Sequence, residues 1–152
     1  MARLMAQLAG LKAGDAVDPR AIVLEPGDVL GLAMEYALRT PQAQFAVVLG
    51  DRVLGALGRD QVLRAVRRLG PYVYVAQIME RDVEEIDAAT ELAVVRTRLI
   101  ERGGKPLLVR GPHGVVGLIG LEDVARAASM ADVLHHVGPT SSLRRSNDVI
   151  VP

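Results

Sequence analysis

Cysteine is absent from the 152 residues, which excludes disulfides, thiolate zinc sites and cysteine nucleophiles together. Net charge is absent as well. Eighteen basic residues balance eighteen acidic ones, so no global field draws the chain toward nucleic acid or an anionic membrane. Lysine is nearly missing, with Lys12 and Lys105 its only occurrences, and this bias carries no functional reading. No apolar run approaches the roughly 20 residues that a transmembrane helix needs, and Met1-Ala2-Arg3-Leu4 does not lead into a signal-peptide pattern. A soluble, cytoplasmic chain is expected, or one at the cytosolic face of a membrane protein, with no nucleic-acid partner and no direct membrane insertion. Also missing are a nucleophile with its base, paired carboxylates at a recognisable spacing, a cofactor fingerprint and a His-Glu-x-x-His zinc motif. No catalysis is expected. His113, His135 and His136 have no carboxylate at ligand spacing, so no metal is assigned to them.

What is present is an apolar half of the composition, enough for a real core, and an internal repeat. Val53-Leu54-Gly55-Ala56-Leu57-Gly58 and Val115-Val116-Gly117-Leu118-Ile119-Gly120 place glycine identically, and the distance from Gly55 to Gly117 is 62 positions. At that offset Leu24 pairs with Ile86, Leu30 with Leu92, Ala33 with Val95, Leu38 with Ile100, Val47 with Val109 and Val62 with Val124. Apolar character holds in each pair, and the register runs without a gap from about Val17 to Ala65 and again from Met79 to Ala127. Two copies of one small unit are expected to pack together about a pseudo-twofold axis.

Each copy has the same order of signals. Extended segments at Ala21–Leu24 and Val83–Ile86 lead through Glu25-Pro26-Gly27-Asp28 and Asp87-Ala88-Ala89-Thr90 into helices, whose apolar stripes are Val29, Leu32, Ala33, Tyr36 and Ala37, and Leu92, Val95, Leu99 and Ile100. Phe45–Leu49 and Leu107–Val109 then turn through Gly50-Asp51 and Gly111-Pro112-His113-Gly114 into the glycine-marked runs, giving a hairpin in each copy. Closing helices start near Asp60 and near Glu122-Asp123, where acidic side chains suit the positive end of the helix dipole. The fold class is α/β (α+β), with two β-α-β-β-α units. The expected spans are 1–14 for an N-terminal helical or linker segment, 15–69 and 70–134 for the units, and 135–152 for a flexible tail in which only Val149-Ile150-Val151 could form a strand. Tyr72 and Tyr74 are expected to fill the seam between copies, and Arg64, Arg67 and Arg68 to complement a helix end.

This order of elements resembles the cystathionine-β-synthase (CBS) domain, a fold usually found as a tandem pair called a Bateman module. The resemblance is carried by Phe45-Ala46-Val47-Val48, Leu107-Leu108-Val109 and Gly117-Leu118-Ile119-Gly120-Leu121-Glu122-Asp123 and covers residues 10 to 130. Within the family, Leu38–Phe45 and Ile78–Val83 resemble the pairs at the cytosolic end of site-2-protease-like membrane metallopeptidases. The resemblance implies a non-catalytic regulatory module that requires no cofactor but takes AMP, ADP, ATP or S-adenosylmethionine as ligand, forms a homodimer through its helical faces, and controls an attached or partner effector such as a membrane-protease domain. The alternative it leaves open is a structural homodimerisation module whose nucleotide sites have degenerated.

The family pattern puts a Ser or Thr on phosphate and an Asp three residues later on ribose. In the second copy Asp123 matches the ribose position, although the same carboxylate could equally cap its own helix. Gly120 stands where the hydroxyl would be, and Val83, Ile86 and Leu107 are expected against the adenine. In the first copy Gly58 replaces the hydroxyl and Gln61 the ribose aspartate, with Asp60 beside it, so that site is expected to be degenerate.

Overall fold

The computed structural model describes residues 2–18 and 20–137. The chain opens with α1 (Ala2–Leu8) and a single turn, α2 (Ala13–Ala16). The first copy then runs α3 (Leu30–Arg39), β1 (Gln44–Leu49), β2 (Arg52–Gly58) and α4 (Arg59–Leu69), and after a 3-10 turn at Val75–Gln77 the second runs β3 (Glu84–Asp87), α5 (Leu92–Glu101), β4 (Leu107–Gly111), β5 (Gly114–Ile119) and α6 (Leu121–Val137).

The offset of 62 survives folding residue by residue. Leu30, Ala33 and Ala37 are buried on α3, and Leu92, Val95 and Leu99 on α5, so each helix turns an i, i+3, i+7 stripe inward. Ile100, expected on that stripe, is instead half exposed, and its counterpart Leu38 is more exposed still. Val47 pairs with Gly55 and Val109 with Gly117 in antiparallel hairpins, and each hairpin carries a bulge directly after that valine. β3 adds to β4 in parallel, with Ile86 opposite Val109. Its first-copy counterpart reduces to one parallel bridge between Leu24 and Val47. The strand expected over Ala21–Leu24 does not form because the Gln42 side chain takes both the N–H and the carbonyl of Ile22, which removes them from a ladder.

The two hydrophobic cores cut across the linear spans 15–69 and 70–134. One contains Leu24, Leu30, Phe45, Val47 and Leu57 together with Val75 and Met79 from beyond α4. The other contains Leu92, Leu99, Leu107 and Ile119 together with Leu8, Ala13, Ala16 and Val17 from the N-terminal segment. Each copy is completed by the segment that precedes the other. The hydrogen bonds repeat this exchange at the same offset: Leu30 N–H donates to the Val73 carbonyl and Leu92 N–H to the Leu11 carbonyl, both at 2.8 Å. Segment 71–74 is held to the start of α3 through its backbone, which leaves Tyr72 and Tyr74 85% and 55% exposed instead of packed in the seam. The closing helix α6 carries on through Val137, past the expected start of the tail at 135, and the remainder of the tail with Val149–Val151 lies outside the described residues. No helix among the described residues is long and apolar enough to cross a membrane.

Candidate functional site

The start of α6 is built around Gly120, which is buried and has no side chain to cap the helix. Asp123 supplies the cap. Its Oδ2 accepts the Gly120 N–H at 2.8 Å, and its Oδ1 accepts from Arg126 Nη2 at 3.0 Å, one turn further along. The capping reading of Asp123 is therefore realised. Burial pushes the carboxyl above the ordinary aspartate range, and the opposing pull of the Gly120 N–H and the Arg126 guanidinium does not cancel it.

Capping leaves Asp123 facing a cleft of about 830 Å³ between the copies. Its first-copy wall comes from Ala21, Ile22 and Val23 and from Thr40 to Gln44; the second-copy wall comes from Arg110, the run from His113 to Leu118, and Arg126. Both hairpin turns reach it, through Gly50-Asp51 and His113-Gly114. The cations Arg110 and Arg126 thus share one concavity with the carboxylates of Asp18, Asp51 and Asp123.

Val83, Ile86 and Leu107, expected beside Asp123, do not line this cleft. Leu107 is fully buried, paired with Ile119 inside the second core. Ile86 packs against that same core and borders a separate shallow depression with Glu85 and Pro112, while Val83 is partly buried in the chain leading to β3. The correction has a simple cause: Asp123 looks across the seam, so part of its apolar wall, Ala21, Ile22 and Val23, belongs to the other copy, and the part from its own copy is Val115, Val116 and Leu118. At the offset of 62, the counterpart of Val83 is Ala21, which does line the cleft. Gln42, Ile22 and Arg126 were missed as site residues; carried across the seam at the offset, Val83, Ile86 and Leu107 give Ala21, Leu24 and Phe45, of which Ala21 alone lines the cleft.

At the first-copy counterpart of this site the equivalent groups already have protein partners. Gln61 Oε1 takes the Gly58 N–H at 3.3 Å, as Asp123 takes that of Gly120, but its Nε2 is spent on the Ile78 carbonyl at 3.1 Å, and Asp60 is exposed in the preceding position. The outer edge of β2 is occupied too, since Ala56 and Glu80 exchange backbone hydrogen bonds at 2.9 and 2.8 Å. Beyond it stands an ionic cluster. Arg102 meets Glu84 at 3.3 Å and Asp82 at 3.6 Å, and Lys105 meets Glu80 at 3.7 Å. The hydrogen bond from Arg98 holds the Glu84 carboxyl below the usual glutamate range. The counterparts of Glu80, Glu84 and Arg102 at the offset are Asp18, Ile22 and Thr40, all of which line the open cleft.

No protein-family model matches the chain, and no curated protein matches it in sequence. Its likenesses are structural. CBSX2 in complex with AMP aligns at a TM-score of 0.65 and 20% identity, over 81% of this chain and 99% of that one. The CBS domain of a bacterial CNNM/CorC-family Mg2+ transporter, in complex with ATP, aligns at 0.69 and 16% identity, over 84% and 94% of the two chains. A hemolysin-like protein containing a CBS domain, from Oenococcus oeni PSU, aligns at 0.70 and 17% identity, over 84% and 96%. With the in-register repeat and the cleft along its seam, these likenesses show that the chain has the fold of a tandem CBS pair.

Proposed function

We propose that this chain is a non-catalytic regulatory CBS pair that senses an adenine nucleotide in one cleft, the one holding Asp123, and passes the ligand's preference for one arrangement of the copies to an attached or associated effector. The observation that carries this reading is the cleft itself, which sets a capped, partly buried carboxylate opposite an extended first-copy segment. Asp123 is the ribose acceptor, and hydrogen bonds to a charged group contribute about 1.5 to 3 kcal/mol. Gly120 withholds the hydroxyl that would grip phosphate, so micromolar or weaker affinity is expected. The likeness of Leu38–Phe45 and Ile78–Val83 to the pairs of membrane metallopeptidases makes such a protease domain the first effector to examine.

Calorimetric titration with AMP, ADP, ATP and S-adenosylmethionine tests the reading. Saturable binding of one ligand per chain supports it, and no binding at millimolar concentration sinks it. The second reading, a structural homodimerisation module, is favoured by the helix faces: Leu38 is 70% exposed, its counterpart Ile100 is half exposed, and Val94 and Met130 stand in solvent as well. Sedimentation that shows only monomer at about tens of micromolar, a range that captures modest affinities, counts against a homodimer.

A further inference from the structure

Ile22 and Gln42 both line the cleft that holds Asp123, and they are joined in an unusual way. Gln42 Oε1 accepts the Ile22 N–H at 2.8 Å, and Gln42 Nε2 donates to the Ile22 carbonyl at 2.8 Å and to the Gln44 carbonyl at 2.9 Å. The network fixes the amide's orientation, because turning it over would set an NH2 group against an N–H and an oxygen against two carbonyls. Twenty residues separate the partners, so this is no local turn. At the offset of 62 the counterparts are Glu84 and Gly104; glycine has no side chain to make such a pairing, which belongs to the open cleft alone.

A carboxamide presents an acceptor beside a donor. The Watson–Crick edge of adenine does the same, with N1 accepting and the N6 amino group donating, and proteins read bases through hydrogen bonds to that edge. The backbone of Ile22 is thus a ready reader of the base, and in the structure Gln42 occupies it. We propose that Gln42 is a built-in stand-in for the base, a latch whose carboxamide must release Ile22 before an adenine can pair there. This rests on the nucleotide reading of the cleft. Because the latched form competes with the ligand, the apparent affinity of the native chain is lowered by the fraction of molecules in which Gln42 holds Ile22.

AMP titrated calorimetrically into the native chain, Gln42→Ala and Gln42→Met tests the latch. Giving up two neutral hydrogen bonds corresponds to about tenfold tighter binding in both variants. Native binding with variants equal or weaker overturns the latch alone, whereas no binding by any of the three at millimolar AMP overturns the nucleotide reading and the latch with it. A second measurement needs no variant. On saturating the native chain with AMP, the side-chain amide resonances of Gln42 shift while the Ile22 amide stays protected from exchange; Gln42 resonances that do not move at saturation overturn the proposal.

Discussion

Arg126 reaches back one turn of α6 to Asp123, its Nη2 donating to Oδ1 at 3.0 Å, yet burial still leaves the Asp123 carboxyl above its ordinary value. Glu84 is displaced the other way by Arg98. On acidification Asp123 is therefore expected to take up its proton above the ordinary aspartate value of 3.8, and Glu84 below the ordinary glutamate value of 4.5. The stability signs are opposite. Asp123, with a raised folded value, favours the fold below its unfolded pKa and loses that contribution as pH rises through the folded one; Glu84 favours the fold above its unfolded pKa and loses that contribution as pH falls through its depressed value. Carboxyl-carbon NMR titration checks both shifts, and Arg126→Ala should move Asp123 further up. An Asp123 midpoint at or below the ordinary value contradicts the burial argument.

Asp123→Ala and Gln61→Ala each remove the N3 side chain that accepts the N-cap N–H, so each should lower stability by about 0.5 to 1.5 kcal/mol in urea denaturation. Their effects on nucleotide binding should differ completely. Asp123→Ala abolishes it, because the carboxylate faces the open cleft, and Gln61→Ala leaves it unchanged, because the edge of β2 beside Gln61 is already paired with Glu80. Equal binding by both variants would remove Asp123 from the site.

A methyl group added at Gly55 would lie 2.6 Å from the Glu80 carbonyl oxygen and 3.0 Å from the Met79 sulfur. The carbonyl belongs to a backbone pair that cannot step aside cheaply, so Gly55→Ala is expected to cost about 1 to 3 kcal/mol. Gly27 meets nothing within 4 Å, and Gly27→Ala should stay within about 0.5 kcal/mol. Chemical denaturation of the two variants side by side checks the contrast.

Leu8 is buried in the second core although it precedes the first copy. Leu8→Ala should cost about 2 to 5 kcal/mol. Native-state hydrogen exchange should show amide protection falling in α5 and β4 before α3 and β1. Loss of protection centred on α3 would mean that the N-terminal segment serves the first copy.

The repeat, the order of elements and the Asp123 cap were legible in the sequence because each rests on local chemistry, and the first two are carried at a constant offset. Leu30, Ala33 and Ala37 recur as Leu92, Val95 and Leu99, the glycines of the hairpins recur as Gly55 and Gly117, and an acidic or amide side chain recurs three residues after Gly58 and Gly120. Periodicity of 3.6 or 2 and a required capping group are properties of a few consecutive residues, so they can be read without knowing what those residues touch. The occupant of each core and the wall of each cleft were decided by the tertiary structure. Val17 and Met79 have the same apolar character, and nothing along the chain says that each completes the copy that is not its neighbour. Likewise Val83 and Ala21 hold one position in the repeat, but only the packing of the copies brings Ala21 in front of Asp123. The physical reason is that contacts across the seam join residues far apart in sequence, whose pairing is selected by the shape of the buried surfaces and leaves no period, spacing or composition to read.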